Sequence, residues 1–290
     1  MTYIIILLIL IILFLIYIKY ENTNLEITNY KIKSKKIPEK FSGITFVVIA
    51  DLHNNTFGIN NKKLFQAINK IKPSFIIIAG DMIVGNRNED FVVATSFLEN
   101  LSSQYPIYYG LGNHEQRIMV QGRHYNDKWD QYINKLEELD VKLLDNHTLK
   151  LTKDDETISI SGLTIDLSFF GRINIPQFKD GYIEKLIGKL DKECYNIVIA
   201  HNPIYFEEYI KNNFDLMLSG HMHGGIVRLP FIGGLISPQL KLFPKYDGGC
   251  FKKGEQVMLV SRGLGTHTIP VRVFNRPELM TVTLEREQLQ

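Results

Sequence analysis

The chain is poor in cysteine. Cys194 and Cys250 are the only two in 290 residues. They lie far apart in sequence and cannot supply a thiolate quartet for a metal. One disulfide between them is open, although two ordinary thiols is the simpler reading. No block of lysine and arginine interleaved with aromatics occurs, and the formal net charge is only +2, so no nucleic acid partner is expected. The absence of a Gly-x-Ser-x-Gly elbow argues against acyl transfer through a serine. The absence of a His-Glu-x-x-His helix argues against a metallopeptidase. There is no internal repeat. What is present is 45% apolar and 22% charged residues, the make-up of a globular protein with a full core. The length allows one large domain or two modest ones.

One hydrophobic run stands apart from the rest. Tyr3 to Ile18 is uninterrupted and apolar. As a helix it spans about 24 Å at ~1.5 Å per residue, a little short of a ~30 Å hydrocarbon core. Tyr17, Lys19 and Tyr20 can extend it, with rings and an amine at the interface. A cleaved signal peptide wants a basic start and a small-residue cleavage site. Here the start is Met1-Thr2-Tyr3 and the run is followed by Lys19-Tyr20-Glu21-Asn22. The expectation is an uncleaved single-pass anchor in the cell membrane over residues 1–20. A tether or first edge strand over 21–40 and a globular domain over 41–290 follow. Lysines cluster after the anchor, which favours a cytoplasmic body, yet long domains cross regardless of charge, so both sides stay open.

Beyond Phe41, buried strands alternate with amphipathic helices. Ile44 to Ala50 is an apolar run that ends in Asp51-Leu52-His53. Asn60 to Lys72 has helical spacing, with Asn60 as cap and Pro73 as stop. Phe75 to Ala79 ends in Gly80-Asp81. Asp90 to Leu101 reads as a helix. Ile107 to Leu111 ends in Gly112-Asn113-His114-Glu115. Leu149–Leu151 and Ile158–Gly162 flank an acidic turn, as in a hairpin. Tyr195 to Ala200 ends in His201-Asn202-Pro203. Phe214 to Leu218 ends in Ser219-Gly220-His221-Met222-His223-Gly224-Gly225.

Five strand ends therefore present Asp, His or Asn at once. In open α/β sheets, sites form outside the carboxyl ends of strands. Asp51 or Asp81 alone could cap a helix; five such ends in succession ask for another reason. His124, His147 and His267 have no such company and read as surface or packing residues. Two carboxylates, several imidazoles and an amide oxygen form a mixed N/O donor set that suits Mn²⁺, Fe or Zn²⁺. There are too many donors for one tetrahedral ion. Two ions roughly 3.5–4 Å apart would use them all, holding a hydroxide and clamping a phosphoryl oxygen.

These motifs, in this order over about residues 41–223, resemble the calcineurin-like metallophosphoesterases. The tail Ser261-Arg262-Gly263-Leu264-Gly265, with Pro270-Val271-Arg272 and Arg276-Pro277-Glu278-Leu279, looks like the membrane-associated bacterial branch. That branch includes YkuE-type and UDP-2,3-diacylglucosamine pyrophosphatase-like members. The resemblance implies an α/β fold, a two-sheet β-sandwich flanked by helices, preceded here by one N-terminal transmembrane helix. It implies that Asp51, His53 and His223 bind one ion, that Asn113, His201 and His221 bind the other, and that Asp81 bridges. His114 would stay off the metals as the catalytic residue near the leaving group. Glu115, where the family often has Asp, would orient His114.

The implied activity is hydrolysis of a phosphodiester, phosphomonoester or pyrophosphate bond, with two divalent ions, Mn²⁺ favoured. The substrate would be a phosphorylated small molecule or lipid, with a nucleotide-sugar among the options. Arg87, Arg117, Arg228 and Arg262 sit near motif loops and could contact its phosphate, although for each a solvent-facing arginine is at least as good a reading. The alternative is a non-catalytic metal-binding scaffold on the same fold, expected where ligands are lost; here none is missing.

Overall fold

The computed structural model describes residues 1–85, 91–121, 127–171, 175–237, 240–266 and 269–288. Arg87, the helix start at Asp90, and His124 and His267 lie outside the described residues. The first half of the chain runs α1 (Thr2–Thr23), β1 (Glu26–Ser34), β2 (Thr45–Ile49), α2 (Lys62–Ile71), β3 (Ile76–Ala79), α3 (Val92–Ser102), β4 (Ile107–Gly110), α4 (Asn113–Val120), α5 (Lys128–Glu138) and β5 (Lys142–Leu144). The second half runs β6 (His147–Lys153), β7 (Glu156–Gly162), α6 (Tyr182–Ile187), β8 (Tyr195–Ile199), α7 (Phe206–Tyr209), β9 (Leu216–Ser219), β10 (Val227–Leu229), β11 (Gly233–Ile236), β12 (Gly249–Lys253), β13 (Gln256–Val260) and β14 (Glu278–Arg286).

Two six-stranded sheets form, in the orders β1-β14-β2-β3-β4-β5 and β12-β13-β9-β8-β7-β6. The strands that carry the motifs, β2, β3 and β4 in one sheet and β8 and β9 in the other, are parallel to their motif-bearing neighbours. They are continuous apolar runs because both faces are covered. The period of two sorts their side chains. Phe46, Val48 and Ala50 point into the layer between the sheets, with Ile197, Ile199, Leu216 and Leu218 opposite. Val47, Ile49, Ile76 and Ile78 point outward, where α2, α3 and α5 cover them. On the far side, Val198, Met217 and Met258 meet the layer of α6 and α7. The result is the expected two-sheet sandwich with helices outside.

The sheets come together closely where the motif strands end. A Cβ on Gly110, the last residue of β4, would lie 2.5 Å from Ile199 Cγ2 at the end of β8. That approach brings donors from both sheets within reach of one another.

Residues 21–40, open between a tether and a first edge strand, contain the strand: β1 lies at the sheet edge and pairs with β14 in a nine-residue parallel register from Glu26↔Glu278 to Ser34↔Arg286. Other expectations change. Asn60 does not cap α2; Asn60 and Asn61 are both left-handed, and Asn61 Oδ1 accepts from Phe57 N at 2.8 Å. The hairpin β10–β11 and the strands β5 and β12 carried too little apolar pattern to be read. The helix α1 is long and apolar enough to cross a membrane. Its last turns are docked on the domain: Ile18 and Glu21 are buried, and Asn22 Nδ2 donates to Pro270 O at 2.8 Å.

Phe46 lies fully buried between the sheets and stacks on Phe75 at a centroid distance of 4.9 Å. Phe46→Ala is expected to lose about 3–5 kcal/mol of stability through lost transfer energy and a cavity. Urea denaturation of the detergent-solubilised chain measures it; a loss under about 1 kcal/mol would deny that the two sheets share one packed layer.

Candidate functional site

The strand ends converge. Asp51, His53 and His223 form one group in which the donor atoms lie within 4.8 Å of one another. Asp81, His201 and His221 form a second, and His53, Asp81 and His114 a third that overlaps the others. His53 Nε2 is 3.2 Å from His223 Nε2, and Asp51 Oδ1 is 3.4 Å from His223 Nε2. Asp81 Oδ2 is 3.0 Å from His201 Nε2 and 3.8 Å from His53 Nε2. Donors bonded to one tetrahedral ion at about 2.1 Å would stand ~3.4 Å apart, so these spacings suit a shared cation. Asn113 opens α4, and its buried Oδ1 has no hydrogen-bond partner among the described residues. A buried lone acceptor of this kind needs a donor or an ion.

The loops that carry these groups are strained. Asp51, His53, Asp81, His221 and His223 all have positive φ, between 49° and 71°. Left-handed non-glycine residues cost on the order of 1–3 kcal/mol each, and they gather where the surrounding structure over-determines them. Here the loops are laced together: Asp51 N donates to Gly80 O, His53 N to Asp81 O, and Gly220 N to His201 O. Two glycines permit the approach. A Cβ on Gly112 would sit 2.1 Å from Asp81 Oδ1, and one on Gly220 would sit 2.4 Å from Asp51 Oδ2.

Hydrogen bonding at the far nitrogen of each ring sorts the histidines. His201 Nδ1 lies 2.6 Å from Ala79 O, and His223 Nδ1 lies 3.0 Å from Gly265 O. A carbonyl can only accept, so both Nδ1 atoms carry hydrogen, and in the neutral rings both Nε2 atoms offer lone pairs. His114 is the reverse. Its Nδ1 accepts from Gly85 N at 2.8 Å, so in the neutral ring Nε2 carries the hydrogen. In the neutral rings His114 therefore presents a donor at Nε2, whereas His201 and His223 present lone pairs there.

Charge in the site is unbalanced without a cation. Burial pushes Asp51 up to about 7, with His201 pulling down and Asp81 adding to the rise. Burial also opposes the Asp81 charge, but His201 and then His114 outweigh it and hold that carboxyl well below the usual range. Burial likewise works against a charged His201, yet the adjacent Asp81 raises it to about 10. Burial, then the His201 charge, lowers His221 to about 3. A proton on His201 Nε2 thus stands where a metal would.

Outer residues fix the donors. Sequence reasoning gave Glu115 the task of orienting His114, and the structure gives it another. The buried Glu115 carboxylate accepts from Asp81 N, Met82 N, Ile83 N, Gly112 N and Tyr109 OH, at 2.8 to 3.3 Å. It clamps the loops after β3 and β4 together; His114 gets its alignment from Gly85. In the sequence Arg272 is only part of a tail motif. It is buried and donates to Arg262 O, Gly263 O, Gly265 O and Asn275 O. Gly265 O also receives His223 Nδ1, so Arg272 sets the loop that orients a candidate ligand. Arg228 and Arg262 are committed to carboxylates rather than open to a phosphate. Arg228 pairs with Asp247 at 2.6 Å, and Arg262 with Glu278 and Glu26, each at 3.2 Å. Arg117 lies on α4, half-buried, with its charge near His221.

A buried cluster of two carboxylates and five imidazoles at the mouth of a two-sheet sandwich defines a metal-dependent hydrolase. The family model for calcineurin-like phosphoesterase matches residues 44–225, and the chain belongs to that family. It is a hydrolase acting on phosphate esters. It is 26% identical to "Uncharacterized metallophosphoesterase YkuE" of Bacillus subtilis (strain 168), over 93% of this chain and 89% of that protein. It is 25% identical to "Phosphodiesterase YaeI" of Escherichia coli (strain K12), over 81% of this chain and 80% of that one. It is 23% identical to a Danio rerio protein named "Transmembrane protein with metallophosphoesterase domain", over 90% of this chain and 57% of that one.

Two outcomes follow from the site's electrostatics. Glu115→Gln keeps the shape but turns an amide nitrogen toward backbone N–H groups, and is expected to lower stability by about 1–3 kcal/mol in denaturant unfolding. Unchanged stability would show that the clamp bears no load. Loading with Mn²⁺ at pH 7 is expected to release protons, because a charged His201 must give one up to ligate. Affinity then rises with pH toward about 10, where His201 loses its proton unaided. Calorimetry in buffers of different ionisation enthalpy reads the release; no release would contradict the assignment.

Proposed function

We propose that this chain is a membrane-anchored phosphoesterase that works with two divalent ions, with Mn²⁺ the favoured metal over Fe and Zn²⁺. The observation that carries the reading is the position of Asp81. Its Oδ2 faces His201 at 3.0 Å and His53 at 3.8 Å, so one carboxylate lies between the two donor sets. Asp51, His53 and His223 would hold one ion, Asn113, His201 and His221 the other, and Asp81 both. When bound, the ions supply positive charge to the phosphoryl oxygens and acidify the attacking water.

The chain's own groups do the rest. His114 holds a proton at Nε2, 4.0 Å from the Asp81 carboxylate, and offers it to the leaving-group oxygen. Gly85 N–H fixes that tautomer. Phe170 stands edge-on to His221 at 5.1 Å and walls one side of the site. Arg117 contacts the substrate phosphate. The substrate proposed is a phosphorylated small molecule or lipid, met at the membrane that α1 crosses.

The test is turnover of bis-p-nitrophenyl phosphate with Mn²⁺, followed by a panel of monoesters, nucleotide diphosphate sugars and lipid phosphates. His114→Ala is expected to keep its metals, by elemental analysis, and to lose about 10²–10⁴-fold in turnover. Unchanged turnover would remove the role of His114. A fully loaded wild-type chain without any turnover would leave only a metal-binding scaffold.

A further inference from the structure

An apolar surface lies beside the foot of α1. Phe231 and Ile232, at the tip of the β10–β11 hairpin, are 108% and 62% exposed, and Phe274 is 58% exposed. All three line one cavity of about 540 Å³, with Arg228 and Arg262. Leu242 and Phe243, on the segment next to β11, are also exposed. Phe231, Ile232 and Phe274 are neighbours on one cavity rather than scattered, and the charged groups there are paired with each other, Arg228 with Asp247 and Arg262 with Glu26.

The backbone makes the patch harder to dismiss. Pro230 and Phe231 form the centre of a turn in which Ile232 N donates to Leu229 O. Phe231 has φ 67°, where such a turn favours glycine or asparagine. Phe243 and Phe274 are left-handed too, at 48° and 52°. Bulky residues at positive φ are outliers. Strain is spent to present rings that pack on little of this chain.

The position of α1 says what covers them. Tyr17 OH accepts from Phe274 N at 2.9 Å, and the two rings are 5.9 Å apart. Hairpin strand β10 is hydrogen-bonded to the Val273 segment, so the patch is held to the helix foot through Phe274. Every residue from Tyr3 to Ile16 is exposed, and docking on the domain begins at Tyr17 and Ile18. Tyr17 thus stands where the exposed apolar helix ends and the domain begins, an aromatic placed as at a headgroup boundary. Phe274, packed on Tyr17, stands at the same level.

We infer that the hairpin tip Phe231–Ile232, with Phe274, dips into the bilayer leaflet next to α1, so that the catalytic domain rides on the membrane surface in one fixed orientation. The inference rests on α1 crossing the membrane, and its test separates the two. The full chain, with Trp129→Phe, is reconstituted into phosphatidylcholine–phosphatidylglycerol vesicles whose acyl chains are brominated. One protein carries Phe231→Trp and a second carries Leu10→Trp. The expected result is quenching in both, with a blue-shifted emission for Phe231→Trp. Quenching of Leu10→Trp with an unquenched, water-like Phe231→Trp overturns the inference and leaves the anchor standing. Absence of quenching in both overturns the anchor and the inference with it.

Discussion

Asp51 and Asp81 are two carboxyl groups buried side by side, and neither can be accommodated alone. Placing like charges in a dry interior is unfavourable unless positive charge lies within bonding reach. Histidines provide it provisionally: His201 takes a proton and Asp81 holds it there. A pair of divalent ions would provide it better, because it would also use the buried acceptor of Asn113 and the lone pairs that Ala79 O and Gly265 O turn inward on His201 and His223. The left-handed loops, the glycines at 112 and 220 and the Glu115 clamp all serve to hold that convergence against its own repulsion.

Much of this was legible in the sequence. Each of Asp51, Asp81, Asn113, His201 and His221 stands one to three residues past a buried apolar run, and a parallel strand delivers whatever follows it to the same end of its sheet. Five local signals thus reported one non-local fact. The rest depended on partners that the sequence holds far away. Glu115 reads by its neighbour His114, yet three of its five donors come from the loop after β3, some thirty residues upstream. Arg228 and Arg262 looked open because Asp247, Glu26 and Glu278 are distant along the chain. The pairing of β1 with β14 joins segments about 250 residues apart, and alternation alone names no partner.

That same pairing links the helix to the catalytic sheet. The chain leaves α1 at Thr23 and enters β1 at Glu26, which is tied along its whole length to β14 and through it to β2. Arg276 reinforces the joint, pairing with Glu21 and lying over the Tyr20 ring. The helix and the sheet that carries Asp51, Asp81 and Asn113 are therefore joined through paired strands rather than through a free linker.

The central claim is that the converging donors hold two cations rather than one or none. Crystals grown with Mn²⁺ and measured at the manganese absorption edge test it most directly. The account predicts two anomalous peaks per chain, roughly 3.5–4 Å apart, on either side of the Asp81 carboxylate. A single peak, or none, with all seven side chains in place would contradict it.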